Sequence, residues 1–206
     1  MVSCPHSMDR LLHRFAEGEQ NFAGIDLTAA NLTGAQLPFI NLSDANLHRA
    51  NLKNAFLPGA DLVRAQLSQA CLAGTNLLGA DLLRAHLHQA DLYRALLSGA
   101  RLVGVDLSGA NLVEASLDGT DLSGAMLRKA NLQGANLKGA NLRGADLRDA
   151  NLRGAILDDV AFHCTFMPDG SCRDCGDIDA FPLLPETVPL PSTLENLNGP
   201  PLEQDR

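Results

Sequence analysis

The stretch that decides the fold reads Ala130-Asn131-Leu132-Gln133-Gly134 and then Ala135-Asn136-Leu137-Lys138-Gly139. On either side of it, leucine recurs at every fifth position from Leu27 to Leu157, 27 times in succession, with Phe22 and Phe162 in phase at the two ends. Two residues before leucine, 22 of 26 positions are alanine, and the residue just before leucine is Asn or Asp in 17 of 27 repeats. The chain therefore contains a long internal repeat with a five-residue period.

A five-residue period fits neither an α-helix nor a continuous strand. On a helix, a step of five residues rotates the side chain by about 140°, so the leucines would spread around every face. On a strand, odd spacing would send alternate leucines to opposite sides. Within one repeat, the small residue and the leucine are two apart and point the same way, as on a short strand. The backbone is therefore expected to reorient once per repeat, with alanine and leucine inward and the other positions outward.

This pattern resembles the pentapeptide-repeat family, whose motif is A(D/N)LXX, over residues 21–163. The resemblance implies an all-β fold, a right-handed quadrilateral parallel β-helix with four repeats in each coil and about seven coils. At about 4.8 Å per coil, the spacing of neighbouring strands, such a rod is on the order of 34 Å long. Each coil of a solenoid depends on its neighbours, so both ends need caps.

The N-terminal segment, residues 1–20, is predicted to cap the first coil. Its apolar residues share one helical face: Met8, Leu11, Leu12 and Phe15. A short helix over residues 7–18 is expected, with Ser7 as the N-cap and Gly18 as the stop. Binding of a partner by this helix is the alternative role.

The five-residue pattern ends with the repeat body, residues 21–163. Pro168-Asp169-Gly170 is a tight-turn signal, and it predicts a hairpin over residues 164–175 that caps the last coil. Residues 176–206 are rich in proline and in acidic side chains. This segment is predicted to be a flexible tail or to lie draped along the rod.

Three of the five cysteines lie close to His163 in the sequence, namely Cys164, Cys172 and Cys175. A hairpin would place Cys164 opposite the region of Cys175, which favours a Cys164–Cys175 disulfide like those of some pentapeptide-repeat proteins. Free thiols and a zinc site are the alternatives. Against zinc, no second CxxC motif is present, and adjacent His163 and Cys164 would point opposite ways on a strand. No metal and no cofactor is therefore predicted.

The repeat body offers no pattern that predicts catalysis. Asp61, Asp81 and Asp121 would stack in one column of a twenty-residue coil, and stacked carboxylates elsewhere suggest acid–base chemistry. The motif itself requires Asp or Asn at this position, so a structural role is predicted. The sequence also lacks a phosphate-binding glycine loop or a metalloprotease motif, and no insertion interrupts the repeat to form a cleft. We therefore expect no catalytic residues and no enzymatic activity.

The distribution of charge disfavours nucleic acid as a partner. The net charge of −8 divides into −1 for residues 1–20, −1 for residues 21–163 and −6 for residues 164–206. A nucleic-acid-binding protein normally shows a basic surplus. No apolar run approaches membrane-spanning length, and the N-terminus lacks the features of a secretory signal, so a cytoplasmic location without membrane binding is expected.

Some outward positions carry apolar side chains where the pattern is otherwise polar. These residues would group on two neighbouring sides of the coil: Phe39, Phe56, Val63, Leu78, Leu83, Leu96 and Val103. Exposed apolar patches often mark interfaces. Docking of the proline-rich tail on this patch, and no role at all, are the alternatives.

The first functional hypothesis is a non-catalytic protein–protein interaction scaffold or regulatory binding protein, with an unidentified protein partner and a monomeric or end-to-end dimeric state. The alternative comes from the family resemblance, which includes DNA mimics that act on a topoisomerase such as DNA gyrase. Such a mimic is expected to have a strongly acidic rod, which residues 21–163 do not have. A third hypothesis, an enzyme that uses the C-terminal Cys/His cluster, would require a bound metal.

Overall fold

The computed structural model describes residues 5–175, and the predictions for residues 176–206 lie outside the described residues. From residue 21 onward the backbone coils with a period of twenty residues. Parallel bridges join each residue at the Asn/Asp position to the residue twenty further on, from Asn21↔Asn41 to Asp146↔Phe166. Four bridges occur in each coil, so a coil has four sides of five residues. We number the sides 1 to 4 from residues 21, 26, 31 and 36 of the first coil, and each side continues at every twentieth residue.

Each repeat turns a corner directly after its leucine. The carbonyl of Leu27 accepts a hydrogen bond from the N–H of Ala30 at 3.0 Å, and the same bond recurs along the body. The second residue after the leucine has a positive φ in every repeat from Gly24 to Asp159. A positive φ at the third residue of a four-residue turn is typical of type II turns. Glycine adopts it without steric cost and fills half of these positions, which explains its frequency two residues after leucine.

Three backbone hydrogen bonds per repeat join successive coils. The N–H of Leu47 donates to the carbonyl of Gln66 at 2.8 Å, and the N–H of Arg49 donates to that of Ser68 at 3.1 Å. In the other direction, the N–H of Gln66 donates to the carbonyl of Ala45 at 2.9 Å. The main-chain groups of the four sides are thus bonded to neighbouring coils, so the body has no open sheet edge along its length.

The Asn and Asp side chains that precede the leucines stabilise these turns. From Asn21 to Asn151 there are 18 of them, and each accepts, through its Oδ1, a hydrogen bond from the N–H two residues later. The N···O distances are 2.9–3.3 Å. This is the Asx turn, in which the side chain mimics a backbone carbonyl. The carboxylates of Asp61, Asp81 and Asp121 have this structural role.

Leucine and small residues fill the interior of the coil. Every leucine of the repeat between residues 27 and 147 is at most 1% exposed. Thr75 and Thr120 stand where most repeats have alanine, and both are buried. The hydroxyl of Thr75 donates to the carbonyl of Leu52 at 2.7 Å, and Thr120 makes an equally short bond to the leucine three residues before it. Among the side chains that the structure describes, in residues 10–175, no buried polar atom lacks a partner.

A helix, α1, spans Pro5–Ala16 at the N-terminal end. Leu11 is 1% exposed, and Leu12 and Phe15 pack against the core beside it. The helix starts two residues before the predicted position, so the assignment of Ser7 as N-cap is wrong. Proline begins the helix because its fixed φ suits the first turn, where no N–H partner is needed.

The end of α1 is joined to the first coil. Gly18 has a φ of 96°, and its N–H donates to the carbonyl of Phe15 at 3.0 Å. The N–H of Glu19 donates to the carbonyl of Arg14 at 3.1 Å, which completes a Schellman motif. The Arg14 guanidinium pairs with the Glu19 carboxylate and lies over the Phe22 ring, with its Cζ 5.1 Å from the ring centroid. Gly18 therefore ends the helix, as predicted from the sequence.

A hairpin follows the last coil. Strand β1, Thr165–Phe166, pairs antiparallel with strand β2, Cys172–Arg173. The N–H of Gly170 donates to the carbonyl of Met167 at 2.9 Å, and Gly170 has a φ of 84°. The tight turn therefore lies at the Pro-Asp-Gly sequence.

Candidate protein-interaction surface

Side 4 of the first four coils carries large exposed apolar side chains. Phe39 is 66% exposed, and Phe56, Leu78 and Leu96 are 38%, 40% and 40% exposed. The remaining outward positions of side 4 in these coils are uncharged as well: Gln36, Pro38, Pro58, Gly59, Asn76, Gly79, Ser98 and Gly99. We call these twelve residues the apolar strip. It is a continuous surface without a charged side chain.

Side 1 carries two ion pairs, one between the second and third coils and one between the fourth and fifth coils. The Arg64 guanidinium donates hydrogen bonds of 2.7 and 2.6 Å to the two carboxylate oxygens of Asp44. Arg101 donates to the carboxylate of Asp81 at 3.2 Å. The hydrogen bond from Arg64 lowers the pKa of Asp44 below its usual value, and Asp44 in turn raises the pKa of Arg64. Two carboxylates of side 1 are thus already paired within the rod.

Phe39 is the most strained residue of the apolar strip. Its φ of 59° is a left-handed conformation, which costs a non-glycine residue roughly 1–2 kcal/mol. Its ring lies over Gly59 of the next coil, where an added Cβ would stand 2.7 Å from two ring carbons. The ring nevertheless remains 66% exposed, so burial does little to offset the strain. The turn of every repeat requires this positive φ, and half of the repeats meet it with a non-glycine residue. Phe39 differs from the others in its side chain, because between residues 24 and 159 it is the one large apolar residue at this position.

The seven residues of the predicted interface fall on two sides of the rod. Phe39, Phe56, Leu78 and Leu96 belong to the apolar strip. The other three are half-buried on side 1, between rows of charged residues: Val63, Leu83 and Val103. Because charged side chains separate the two groups, only the first group forms a continuous uncharged surface.

Three further exposed apolar residues were not predicted from the sequence, namely Met126, Ile156 and Phe166 of the hairpin. Met126 on side 2 and Ile156 on side 4 are each 46% exposed. Both replace the Asn or Asp that precedes leucine, as do Phe56 and Leu96. An apolar residue at this outward position is therefore the sequence signal that would have found Met126 and Ile156.

An open groove of about 480 Å³ runs along the edge between sides 1 and 2. The Asp44–Arg64 ion pair lies at one end and Met126 at the other, with Arg84 and His86 between them. The lining is a mixture of both charges and one apolar side chain. It does not place a nucleophile beside a base, as covalent catalysis would require.

The structure joins Cys172 to Cys175 in a disulfide, which corrects the predicted Cys164–Cys175 pair. Their Cα atoms are 5.9 Å apart, within the usual range for a disulfide. In the hairpin, Thr165 pairs with Arg173, so Cys164 is out of register with Cys175 by one residue. Cys164 is a free, half-buried cysteine.

Two features are not found in the part of the chain that the structure describes. No group of three or more His, Cys, Asp or Glu side chains is placed to hold a metal ion. No helix in this part combines the length and the apolar character needed to cross a membrane.

The repeat that builds this surface is that of a known family. The family model of pentapeptide repeats matches the chain in eight copies between residues 21 and 163. The chain belongs to the pentapeptide-repeat family. This membership confirms the resemblance found in the sequence, and the all-β solenoid of pentapeptide-repeat proteins is the fold of the chain.

Solved pentapeptide-repeat structures resemble the chain over most of its length. HetL, a pentapeptide-repeat protein involved in heterocyst differentiation regulation in the cyanobacterium Nostoc sp. strain PCC 7120, is 31% identical, with a TM-score of 0.53. The match covers 80% of this chain and 98% of HetL. A trypsin-treated variant of QnrB1, a plasmid-mediated fluoroquinolone resistance protein, is 21% identical, with a TM-score of 0.58, over 69% of this chain and 79% of QnrB1. The likeness to QnrB1 shows the fold alone. No curated protein matches the sequence significantly.

Proposed function

We propose that this pentapeptide-repeat protein is a non-catalytic, cytoplasmic scaffold that binds a partner protein through the apolar strip. The observation that carries the proposal is Phe39, an aromatic residue at a turn position that the other repeats fill with glycine, alanine or polar residues, and it is 66% exposed on a surface without charge. Contiguous exposed apolar surface marks interaction sites, and aromatic residues are enriched at the centres of interfaces.

The architecture supports binding in preference to catalysis. Catalytic residues lie mostly on loops that a rigid scaffold positions. Between residues 21 and 161 the bridges follow one another every five residues, so no loop interrupts this body. A rod of this kind offers rigid, preorganised sides, and preorganised surfaces lose little conformational entropy when they bind.

DNA mimicry toward a topoisomerase has less support. Residues 21–163 carry a net charge of −1, whereas a mimic of DNA needs a strongly acidic surface. Several carboxylates of the rod are also paired with arginines, such as Asp44 with Arg64 and Glu114 with Arg94. Dose-dependent inhibition of gyrase supercoiling by the purified protein would reverse this ranking.

The proposed function is tested by removing the apolar side chains without disturbing the turns. The double variant Phe56→Asn, Leu96→Asn places at both sites the residue that the motif prefers, so the fold is preserved. We expect recovery of the partner in a pull-down from a cytoplasmic extract to fall at least about tenfold, since truncation of interface anchors costs more than 1 kcal/mol each. Met126→Asn is the matched control, because Met126 stands at the same repeat position on side 2 and is slightly more exposed than Phe56 and Leu96. Equal recovery of the partner by the double variant and the wild type would refute the proposal.

A further inference from the structure

We infer that the partner presents a single amphipathic α-helix, which lies on the apolar strip along the axis of the rod; this inference rests on the proposed function. One large apolar side chain projects from each of four successive coils: Phe39, Phe56, Leu78 and Leu96. Phe56 and Leu96 stand at the first position of side 4, whereas Phe39 and Leu78 stand nearer its other edge. The large side chains therefore alternate between two edges. An amphipathic helix presents its apolar residues in the same way, at alternating steps of three and four along one stripe.

The spacing along the rod fits such a helix. Neighbouring coils are about 4.8 Å apart, so Phe56 and Leu96 are separated by about 9.6 Å. Residues seven apart on a helix are separated by about 10.5 Å along its axis, which agrees to within about 1 Å. The Phe39 ring covers Gly59, but Gly79 and Gly99 leave the edge of the strip open in the next two coils, with nothing within 4 Å of an added Cβ. The backbone of a helix can therefore approach this edge closely.

The backbone of the strip disfavours an extended peptide. Strand addition derives its affinity from main-chain hydrogen bonds. Within the strip, the N–H of Leu57 already donates to the carbonyl of Asn76 at 2.8 Å, and the N–H of Gly59 donates to that of Leu78 at 2.9 Å. An added strand would find these groups occupied. A helix bonds its own N–H and C=O groups internally and needs none from the rod.

The size of the strip disfavours a second copy of the chain. The strip is about 10 Å wide, since three extended residues span it, and its four coils, at about 4.8 Å each, extend about 19 Å along the axis. Its flat area is therefore on the order of 200 Å², well below the roughly 800 Å² per partner of a stable interface between globular surfaces. A single helix, about 10 Å in diameter, covers an area of this size.

The charges that border the strip indicate which charge the partner helix carries beside its apolar stripe. Asp61 and Asp81 line the side 1 edge, and Asp81 already pairs with Arg101. Asp61 makes no ion pair with any residue that the structure describes. The helix is therefore expected to carry Lys or Arg next to its apolar stripe on the side that faces Asp61, because opposite charges at the rim of an interface orient the partners.

The experiment is a selection of displayed peptides against the full-length protein. One pool contains helix-forming peptides of about 18 residues with one face randomised, and a second pool contains peptides of the same composition that are kept extended by prolines. We expect enrichment from the helical pool alone, with apolar residues at positions i, i+3, i+4 and i+7 and a basic residue beside them. The enriched peptides are expected to bind Phe39→Gly and Phe56→Asn at least about tenfold more weakly than the wild type, and to bind Met126→Asn unchanged.

Several outcomes would overturn the inference. They are enrichment from the extended pool, enrichment from neither pool, or helical peptides that bind Phe39→Gly as well as the wild type. A wild-type dimer in sedimentation that Phe56→Asn dissociates would overturn it too, since a second copy would then occupy the strip. These results are distinguishable from failure of the proposed function, because pull-down of the partner through Phe56 and Leu96 can succeed with a partner segment that is not helical.

Discussion

Sides 1 and 4 of the first four coils have the same backbone geometry and enclose the same interior. Their outer surfaces differ in character, since side 1 is charged and side 4 is uncharged. On side 1, Asp44 pairs with Arg64, and Asp81 pairs with Arg101 at the start of the fifth coil. On side 4, the same positions of the repeat hold residues such as Phe39 and Leu96, and no charge at all. The inward positions of both sides are filled by leucine and alanine, apart from Phe22, Ile25 and Ile40 in the first coil. The difference shows that the motif constrains the inward side chains and the turns, while the outward positions are free to vary from side to side.

The largest expected effect is the loss of stability when an interior leucine is truncated. Comparing this loss under side 1 and under side 4 tests whether the interior is the same beneath both surfaces. Leu97→Ala lies under side 4 and Leu82→Ala lies under side 1, and both leucines are 0% exposed. Each substitution is expected to lower the free energy of unfolding by about 2–5 kcal/mol, through lost burial and a cavity. Urea unfolding measures both values. A difference of more than about 2 kcal/mol between them would break the equivalence of the two sides.

A smaller effect is expected from Phe39→Gly on side 4, and it tells whether Phe39 contributes to the stability of the rod or to binding. Phe39→Gly removes an aromatic residue from a φ of 59°, so we expect the free energy of unfolding to rise by up to about 1 kcal/mol, even though a glycine loses more entropy on folding. Gly99→Ala is the matched control, because Gly99 occupies the same column with a φ of 67° and open space around it. It is expected to lower the stability by about 1 kcal/mol through backbone strain alone. If Phe39→Gly is destabilising in urea, Phe39 belongs to the folding of the rod and not to binding.

The smallest effect concerns the charges of side 1. Arg64 lowers the pKa of Asp44 below its ordinary value of 3.8. A carboxylate with a lowered folded-state pKa contributes stability above its unfolded-state pKa, and this contribution is lost as the pH falls through the folded-state value. Asp44→Asn should therefore have a slightly lower Tm than the wild type at pH 7, with the gap closing at a low pH, below the lowered folded-state pKa of Asp44.

The matched variant for this pH dependence is Phe56→Asn, which changes no charge. Its difference in Tm from the wild type should be the same at both pH values. Thermal unfolding followed by circular dichroism checks both variants. A gap between Asp44→Asn and the wild type that persists unchanged at low pH would show that the ion pair with Arg64 does not contribute.

Much of the repeat body could be predicted because every repeat has the same residue types at the same spacing. The distance of two between alanine and leucine predicts a short extended segment with both side chains inward, and both are buried. The preference for Asn or Asp before leucine predicts braced turns, and all 18 of these side chains make the expected bond. The frequent glycine two residues after leucine corresponds to a positive φ. These features depend on a few neighbouring residues, so spacing is enough to find them.

Features that depend on register or on orientation could not be predicted in the same way. The alignment of the two hairpin strands sets Cys164 one residue out of register with Cys175, and Cys175 pairs instead with Cys172, three residues before it. The exposure of the apolar patch depends on what stands beside it. Leu83 lies between charged rows and is half-buried, whereas Phe39 projects over Gly59 and remains exposed.

By itself, the sequence determined the period, the inward and outward positions and the family, because each follows from side-chain spacing that any single repeat displays. The tertiary structure alone decided which outward residues meet, since residues twenty apart become neighbours only after the chain has closed a coil. That stacking turns scattered apolar residues into a strip without charge on side 4 and brings carboxylates beside arginines on side 1. The physical reason is that a solenoid brings together residues that are remote in the chain, and the character of a surface depends on neighbours in space.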